Sequence, residues 1–135
     1  MALLIAAGLF TFHTAILFEL MRLLPAFSKL AGELGGPHAA GIGTVMLCFI
    51  VLFIAHFGEA SGWGLFFWRK KLATSFPEGV YFAASSITAL GYGDVMLPPP
   101  WRVLGALVAI NGLLMFGCST AFLFLVIQNV WKDFG

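Results

Sequence analysis

The hydrophobic positions of the chain fall into three long stretches, at residues 3–24, 42–68 and 101–130. A helix needs about 20 mostly apolar residues to cross a bilayer, so each stretch is long enough to span one. The first lacks the basic start of a cleaved signal peptide, which favours a retained helix. Between the first two stretches, residues 25–41 are polar and rich in glycine and proline, a composition typical of a loop.

A fourth apolar segment, residues 77–88, is too short to cross a membrane. Pro77 and Glu78 favour a helix start, because proline fits the first turn and an acid suits the positive end of the helix dipole. The sequence GYGD follows at residues 91–94 and breaks the helix, and VMLPPP forms a rigid exit. The pattern predicts an all-α membrane protein with three transmembrane helices and a re-entrant half-helix.

The composition agrees with a membrane protein. Hydrophobic residues make up 61% and charged residues 10% of the 135 positions, whereas a soluble domain is about 25% charged. A chain this small has too little interior to hide so much apolar surface from water. The net charge of +1 gives no reason to expect nucleic acid as a partner. Cys48 and Cys118 lie within apolar stretches and are expected to be buried free thiols.

Two histidines and two glutamates lie inside the predicted spans, where ionisable groups are functional candidates by default. His13 and Glu19 are six positions apart, nearly opposite on a helix, so they are not expected to share a site. His56 and Glu59 are three apart and lie on one helix face. One such pair makes a weak metal site, so a hydrogen-bonded pair packed against protein is the favoured interpretation. No nucleophile–base pair or phosphate-loop context indicates an enzyme, and no cofactor is expected.

The GYGD sequence places non-helical backbone within the membrane, and such backbone needs partners for its polar groups. Non-helical backbone at membrane depth must be buried in protein or line a watery cavity, because its polar groups otherwise lack partners. Glycine allows backbone angles that turn successive carbonyls one way. A ring of carbonyls can replace the hydration shell of a potassium ion, and the negative end of a half-helix favours a cation. One chain supplies one strand of carbonyls, so a pore needs several copies.

The sequence TALGYGD resembles the selectivity-filter signature Thr-x-Gly-Tyr-Gly-Asp of tetrameric potassium channels. LPPPWRVLGALVAINGLLMFGCSTA is similar to small bacterial potassium-channel-like proteins that carry an ion-channel pore domain, some with an extra first helix. The resemblance implies an N-terminal helix and loop (1–40) before a pore domain (41–135). Within the pore domain it implies an outer helix at about 42–68, a pore helix at 77–88, a filter at 89–93 and an inner helix at 101–130.

The same resemblance implies a homotetramer that conducts K⁺ passively in a bacterial inner membrane. Family topology would place the N-terminus outside and the C-terminus in the cytoplasm. The positive-inside rule does not decide this orientation, because three basic residues lie on the expected inner side and four on the outer side.

Specific residues take roles by this resemblance. The K⁺ ligands would be the backbone carbonyls of Ala89, Leu90, Gly91, Tyr92 and Gly93. The Tyr92 ring would pack against Tyr81 and Phe82, Asp94 would sit behind the outer mouth, and Thr88 would face the surrounding protein. On the inner helix Gly112 would be a hinge. Leu113, Phe116, Thr120 and Phe124 lie on one helical stripe that would line the inner cavity, although plain helix packing explains the same stripe.

Three positions depart from the family pattern, and one of them is Leu90, which adds bulk behind the filter where valine is usual. Ser85 stands where many relatives carry a glutamate that pairs with the filter aspartate, so Glu59 or His56 is a hypothetical partner for Asp94. Ala89 stands where threonine is usual, and alanine removes the hydroxyl of the innermost ion site. Two alternatives to a potassium channel therefore stay open. One is a non-conducting accessory subunit of a larger membrane complex, and the other is a weakly selective cation channel.

Overall fold

The computed structural model describes residues 1–132 and is helical, without strands in that range. Helix α1 covers Ala2–Arg69, α2 covers Phe76–Ile87, a short 3-10 turn covers Pro99–Trp101, and α3 covers Val103–Lys132. By length and composition, α1 and the segment Pro99–Lys132 could each cross a membrane.

Helix α1 consists of two arms joined at Gly36, whose backbone leaves the helical region at φ 80° and ψ 179°. We call residues 2–35 the N-terminal arm and residues 37–69 the C-terminal arm. Glycine tolerates this positive φ, and Pro37 can begin a new helix without its missing N–H. The arms pack side by side, since His13 contacts Glu59 across 46 positions. The two arms therefore run antiparallel.

The expected loop at residues 25–41 is wrong. The structure keeps this stretch helical except at Gly36, and Pro25 lies inside the N-terminal arm. Pro25 removes one backbone hydrogen bond, but the following residues, AFSKLAGEL, include several strong helix formers that sustain the helix. The chain reverses at a single glycine instead of through a loop.

Helix α2 corresponds to the segment predicted at 77–88, and its start is fixed by local contacts. The Ser75 hydroxyl accepts a hydrogen bond from the Glu78 N–H at 3.3 Å, as an N-cap does. The Glu78 carboxylate in turn accepts from the hydroxyl of Thr74 and, at 2.6 Å, from its backbone N–H. The Thr74 contacts hold the pKa of Glu78 below its usual range.

Close backbone approaches hold α2 between the C-terminal arm and α3. A Cβ built on Gly79 would lie 2.6 Å from the Gly64 carbonyl oxygen, and one on Gly112 would lie 2.5 Å from the Ile87 carbonyl oxygen. Only glycine allows these distances. Around them pack buried Trp63, Phe67 and other apolar side chains of both arms and α3. The half-helix is thus fixed at both of its ends.

Large apolar side chains cover much of the outer surface, as expected of a protein whose solvent is lipid. Leu4, Leu34 and Phe18 are among the most exposed of them. Cys48 and Cys118 are both free thiols as predicted, but only Cys48 is buried, whereas Cys118 is half-buried.

Candidate functional site

The segment 89–93 begins as a tight turn on the carboxyl end of α2. The Ala89 N–H donates to the Ser86 carbonyl at 2.9 Å, and the N–H groups of Leu90 and Gly91 donate to the Ser85 carbonyl at 3.0 and 3.2 Å. These bonds satisfy carbonyls that a helix end leaves free. The first three N–H groups of the segment therefore face back toward α2.

The backbone of this segment alternates in handedness. Ala89, Gly91 and Gly93 have φ of 56°, 56° and 78°, while Leu90 and Tyr92 keep negative φ. Side groups alternate along an ordinary extended strand, but a sign change at every second residue turns successive peptide planes the same way. In the described part of the chain, no hydrogen-bond donor approaches the carbonyl oxygens of residues 89–93. The segment is exposed and offers a row of unpaired acceptors, which suits a cation.

Ala89 has a conformation that non-glycine residues rarely adopt. At φ 56° its Cβ crowds the following carbonyl, at a cost of about 1–2 kcal/mol. A β-branched side chain at such a φ is a clear outlier. Alanine, the smallest side chain with a Cβ, therefore suits this backbone better than the threonine that usually stands at this position in the resembling family.

Asp94 is held by Tyr81, and its expected pairing with Glu59 or His56 is wrong within the chain. The Tyr81 hydroxyl donates to Asp94 Oδ2 at 2.7 Å, and the Val95 N–H donates to Asp94 Oδ1 at 3.1 Å. Glu59 is completely buried among other partners and is not available to Asp94. The Tyr81 hydroxyl lowers the pKa of Asp94, and the carboxylate raises the pKa of Tyr81.

The other residues assigned to filter support have separate surroundings in the single chain. The Thr88 hydroxyl donates to the Ala84 carbonyl at 2.8 Å, which ties it to α2. The Phe82 ring packs edge-on against Phe67, with ring centroids 5.2 Å apart, so it faces α1 instead of Tyr92. The Tyr92 side chain is 67% exposed. The expected aromatic packing around Tyr92 is not formed within one chain.

The residues of α3 that were expected to line an inner cavity do not all have the same surroundings in the structure. Leu113, Thr120 and Phe124 are exposed on α3, on a face free to meet another chain or lipid. Phe116 is half-buried, and its ring lies against His56 with centroids 4.2 Å apart, so it packs inside the chain. Gly112 sits at the close approach to α2, and α3 runs unbroken past it. Its role as a hinge stays a prediction.

A second polar site lies in the apolar interior. Glu59 contacts His13 Nδ1 at 2.7 Å through one carboxylate oxygen and His56 Nδ1 at 2.8 Å through the other. Ser119 Oγ lies 3.0 Å from His13 Nε2 and 3.1 Å from His56 Nε2. We call these four residues the histidine–glutamate cluster. The predicted His56–Glu59 hydrogen bond is present, but no local pattern in the sequence indicated His13 and Ser119 as partners.

Asn111 joins three segments close to this cluster. Its side-chain oxygen accepts from the Trp63 indole N–H at 3.3 Å, and its amide donates to the Ala6 carbonyl at 3.2 Å. The polar interior contacts therefore connect the N-terminal arm with the C-terminal arm and α3. Glu19 takes no part in them: it forms an exposed ion pair with Arg22 at 2.7 Å.

A half-helix that ends in a row of unpaired carbonyls, set between long apolar helices, is an arrangement typical of membrane ion channels. Residues 42–129, about two thirds of the chain, match the profile of a protein family described as ion channel. The chain belongs to this ion-channel family and is an integral membrane protein. No curated protein and no solved structure matches the chain. The N-terminal arm lies outside the matched range.

Proposed function

We propose that four copies of this chain form a potassium-selective channel that conducts K⁺ passively across the membrane. The observation that carries the proposal is segment 89–93, where positive φ at every second residue accompanies carbonyls with no donor among residues 1–132. Such carbonyls can replace the hydration shell of K⁺ when several chains bring them together.

Burial supports the assembly of several copies. All seven residues from 88 to 94 are exposed in the single chain, although non-helical backbone within a membrane must be covered by protein or line a cavity. Other copies of the chain placed around a shared axis would cover the backs of these segments and leave their carbonyls facing the ion. Closed rotational symmetry is the usual form of such assemblies.

In this proposal the chain crosses the membrane three times, through the N-terminal arm, the C-terminal arm and α3. Each arm alone is long enough to span a bilayer, and the two are antiparallel. The C-terminal arm and α3 would be the outer and inner helices of the pore. The end of α2 would point its negative dipole toward the pore axis. The N-terminus would then lie outside and the C-terminus in the cytoplasm.

Potassium flux in reconstituted liposomes tests this function, with Gly91→Ala as the main variant. Gly91 has φ 56°, so alanine adds strain of about 1–2 kcal/mol in each chain at the proposed ion site. We expect K⁺-selective flux from the native protein and its loss in Gly91→Ala. Gly8→Ala is the matched control, since a Cβ there meets nothing within 4 Å and Gly8 lies on the N-terminal arm, outside the proposed pore. That variant should retain full flux.

Two outcomes would contradict the proposal. A purified native assembly without flux would favour a non-conducting accessory subunit of a larger membrane complex. Equal flux of K⁺ and Na⁺ would favour a weakly selective cation channel. Ala89 supports the latter candidate specifically, because the segment has no side-chain hydroxyl at its innermost position. Measuring both ions with the same liposomes separates the three cases.

A further inference from the structure

The histidine–glutamate cluster is a closed ring of four polar contacts inside the apolar interior. His13 comes from the N-terminal arm, His56 and Glu59 from the C-terminal arm, and Ser119 from α3. The side chains of His13 and Glu59 are fully buried, and that of His56 is 14% exposed. The two imidazole rings stack with centroids 5.0 Å apart. Such burial of ionisable groups requires that their charges and donors be balanced.

Hydrogen counting shows that the ring lacks one positive charge. An ionised Glu59 supplies no donor, Ser119 supplies one hydrogen, and each neutral histidine supplies one N–H. Three hydrogens cannot fill four contacts, and the ring would carry an unbalanced negative charge. A buried, unpaired carboxylate is costly in a low-dielectric interior. The ring therefore needs a cation, which is either an added proton or a metal ion.

We propose that the cluster binds a divalent transition metal, with Zn²⁺ as the best fit. The ligands would be Nδ1 of His13, Nδ1 of His56 and the carboxylate of Glu59, since each Nδ1 already contacts that carboxylate. One ligand atom from each of the three residues lies within 4.8 Å of the others. Two histidines and one glutamate form a ligand set that zinc uses, with a fourth position left for water or hydroxide. Hydroxide there would balance the charge of the site.

Ser119 gives the reason to favour a metal over a proton. With metal on each Nδ1, both Nε2 atoms carry hydrogen, and one hydroxyl oxygen with two lone pairs can accept both. The nearly equal separations of 3.0 and 3.1 Å match this shared role. Metal-bound histidines usually donate their other N–H to such an acceptor, which fixes the ring. A single proton would instead make the two histidines unlike.

The fit requires the ligand atoms to rearrange around the metal, because the widest of their separations, up to 4.8 Å, must close to tetrahedral spacing. Metal bonds of about 2.0–2.2 Å in a tetrahedron separate two ligand atoms by about 3.3 Å. The two Nδ1–carboxylate distances, now 2.7 and 2.8 Å, would open by roughly half an ångström. His56 also borders a cavity of about 260 Å³ that reaches Thr88 at the end of α2. This cavity leaves room for a water ligand beside His56.

Binding is tested on the purified full-length protein after metal removal, with Co²⁺ as an optical probe and Zn²⁺ as competitor. We expect one Co²⁺ per chain, the visible bands of four-coordinate Co²⁺, and displacement by Zn²⁺. His13→Gln and Glu59→Gln should each weaken binding by more than 100-fold. Ser119→Ala keeps all three ligands and should weaken it by about 10–100-fold. His38→Gln and Cys48→Ser are controls and should bind as the native protein does.

X-ray absorption of the native Zn²⁺ complex avoids reliance on variants that fail to fold. Imidazole nitrogen and oxygen in the first shell, without sulfur, would support the site. Sulfur ligands, absence of saturable binding, or native affinity in His13→Gln would overturn it and leave a proton as the cation of the ring. The outcome does not depend on ion conduction, because none of these measurements involves flux.

Discussion

At the scale of single residues, the support of segment 89–93 differs from the pattern that its sequence suggested. Ser85, in the position of the usual glutamate, contributes its backbone carbonyl, which accepts from the N–H groups of Leu90 and Gly91. The carboxylate after the segment is held by Tyr81 from α2 instead. One neutral hydroxyl thus replaces a second acid, so no shared proton between two carboxyl groups is needed to hold Asp94.

Replacing Tyr81 with phenylalanine tests this contact. Loss of the hydroxyl should raise the pKa of Asp94 toward its ordinary value of 3.8. Because the pKa of Asp94 is lowered in the folded protein, the contact stabilises the fold at pH values above the ordinary pKa of Asp94. This stabilisation disappears as the pH falls through the lowered pKa. It should therefore be constant near neutral pH. Carboxyl-carbon NMR titration of Asp94 measures the shift, with Tyr92→Phe as the control. An unchanged titration in Tyr81→Phe would contradict the contact.

Ala89 allows a second test at this scale. Threonine at φ 56° adds a branched Cβ to a crowded backbone, whereas glycine removes the crowding. We expect Ala89→Thr to lower the melting temperature of the assembly and Ala89→Gly to leave it equal or higher. Thermal unfolding in one detergent compares them. If Ala89→Thr melts at the same temperature as Ala89→Gly, the positive φ at this position is wrong. The threonine hydroxyl could then serve the innermost ion site, as in the potassium-channel family that the sequence resembles.

At the scale of elements, α2 is positioned by glycines more than by large side chains. Gly64 and Gly79 let α2 approach the C-terminal arm, and Gly112 lets it approach α3. Both contacts join backbone to backbone, which leaves little freedom to adjust. The placement of the carbonyl row therefore depends on residues that carry no functional group.

Gly112→Ala should disturb this placement. Its Cβ would lie 2.5 Å from the Ile87 carbonyl oxygen, so helices must separate, at a cost of about 1–3 kcal/mol. Gly117→Ala on the same helix meets no neighbour and should gain up to about 1 kcal/mol from helix propensity. Denaturant or thermal unfolding of the two variants gives the comparison. Equal stability of the two would show that α2 and α3 are less closely packed.

Patterns along the chain predicted the local features well. The apolar stretch and Pro77 indicated α2, GYG indicated the glycines of positive φ, and the three-residue spacing indicated the His56–Glu59 pair. The contact of His13 with Glu59 depends on how the two arms align, and that alignment follows from one kink at Gly36. Proline and glycine near residue 36 predicted a loop of 17 residues instead. A loop of that length does not fix which residues of the two arms face each other, so the complete cluster could not be predicted from local patterns.

At the scale of the whole molecule, the proposed ion path is uncovered within a single chain. Segment 89–93 is exposed, and so are Leu113 and Phe124 on the neighbouring face of α3. The histidine–glutamate cluster, by contrast, is complete within one chain. The N-terminal arm thus belongs to the fold of each protomer, while the ion path is expected to form only between protomers.

Mixing experiments count the chains that share one path. If four segments form a single filter and one strained segment disables it, a random half-and-half mixture of native and Gly91→Ala chains should keep about one sixteenth of the flux; a dimer would keep about one quarter. Mixing with Gly8→Ala should leave the flux unchanged. Native mass spectrometry of the same samples gives the copy number independently. Flux that falls only in proportion to the native fraction would mean that each chain acts alone, and a ring of carbonyls shared around an axis would then be wrong.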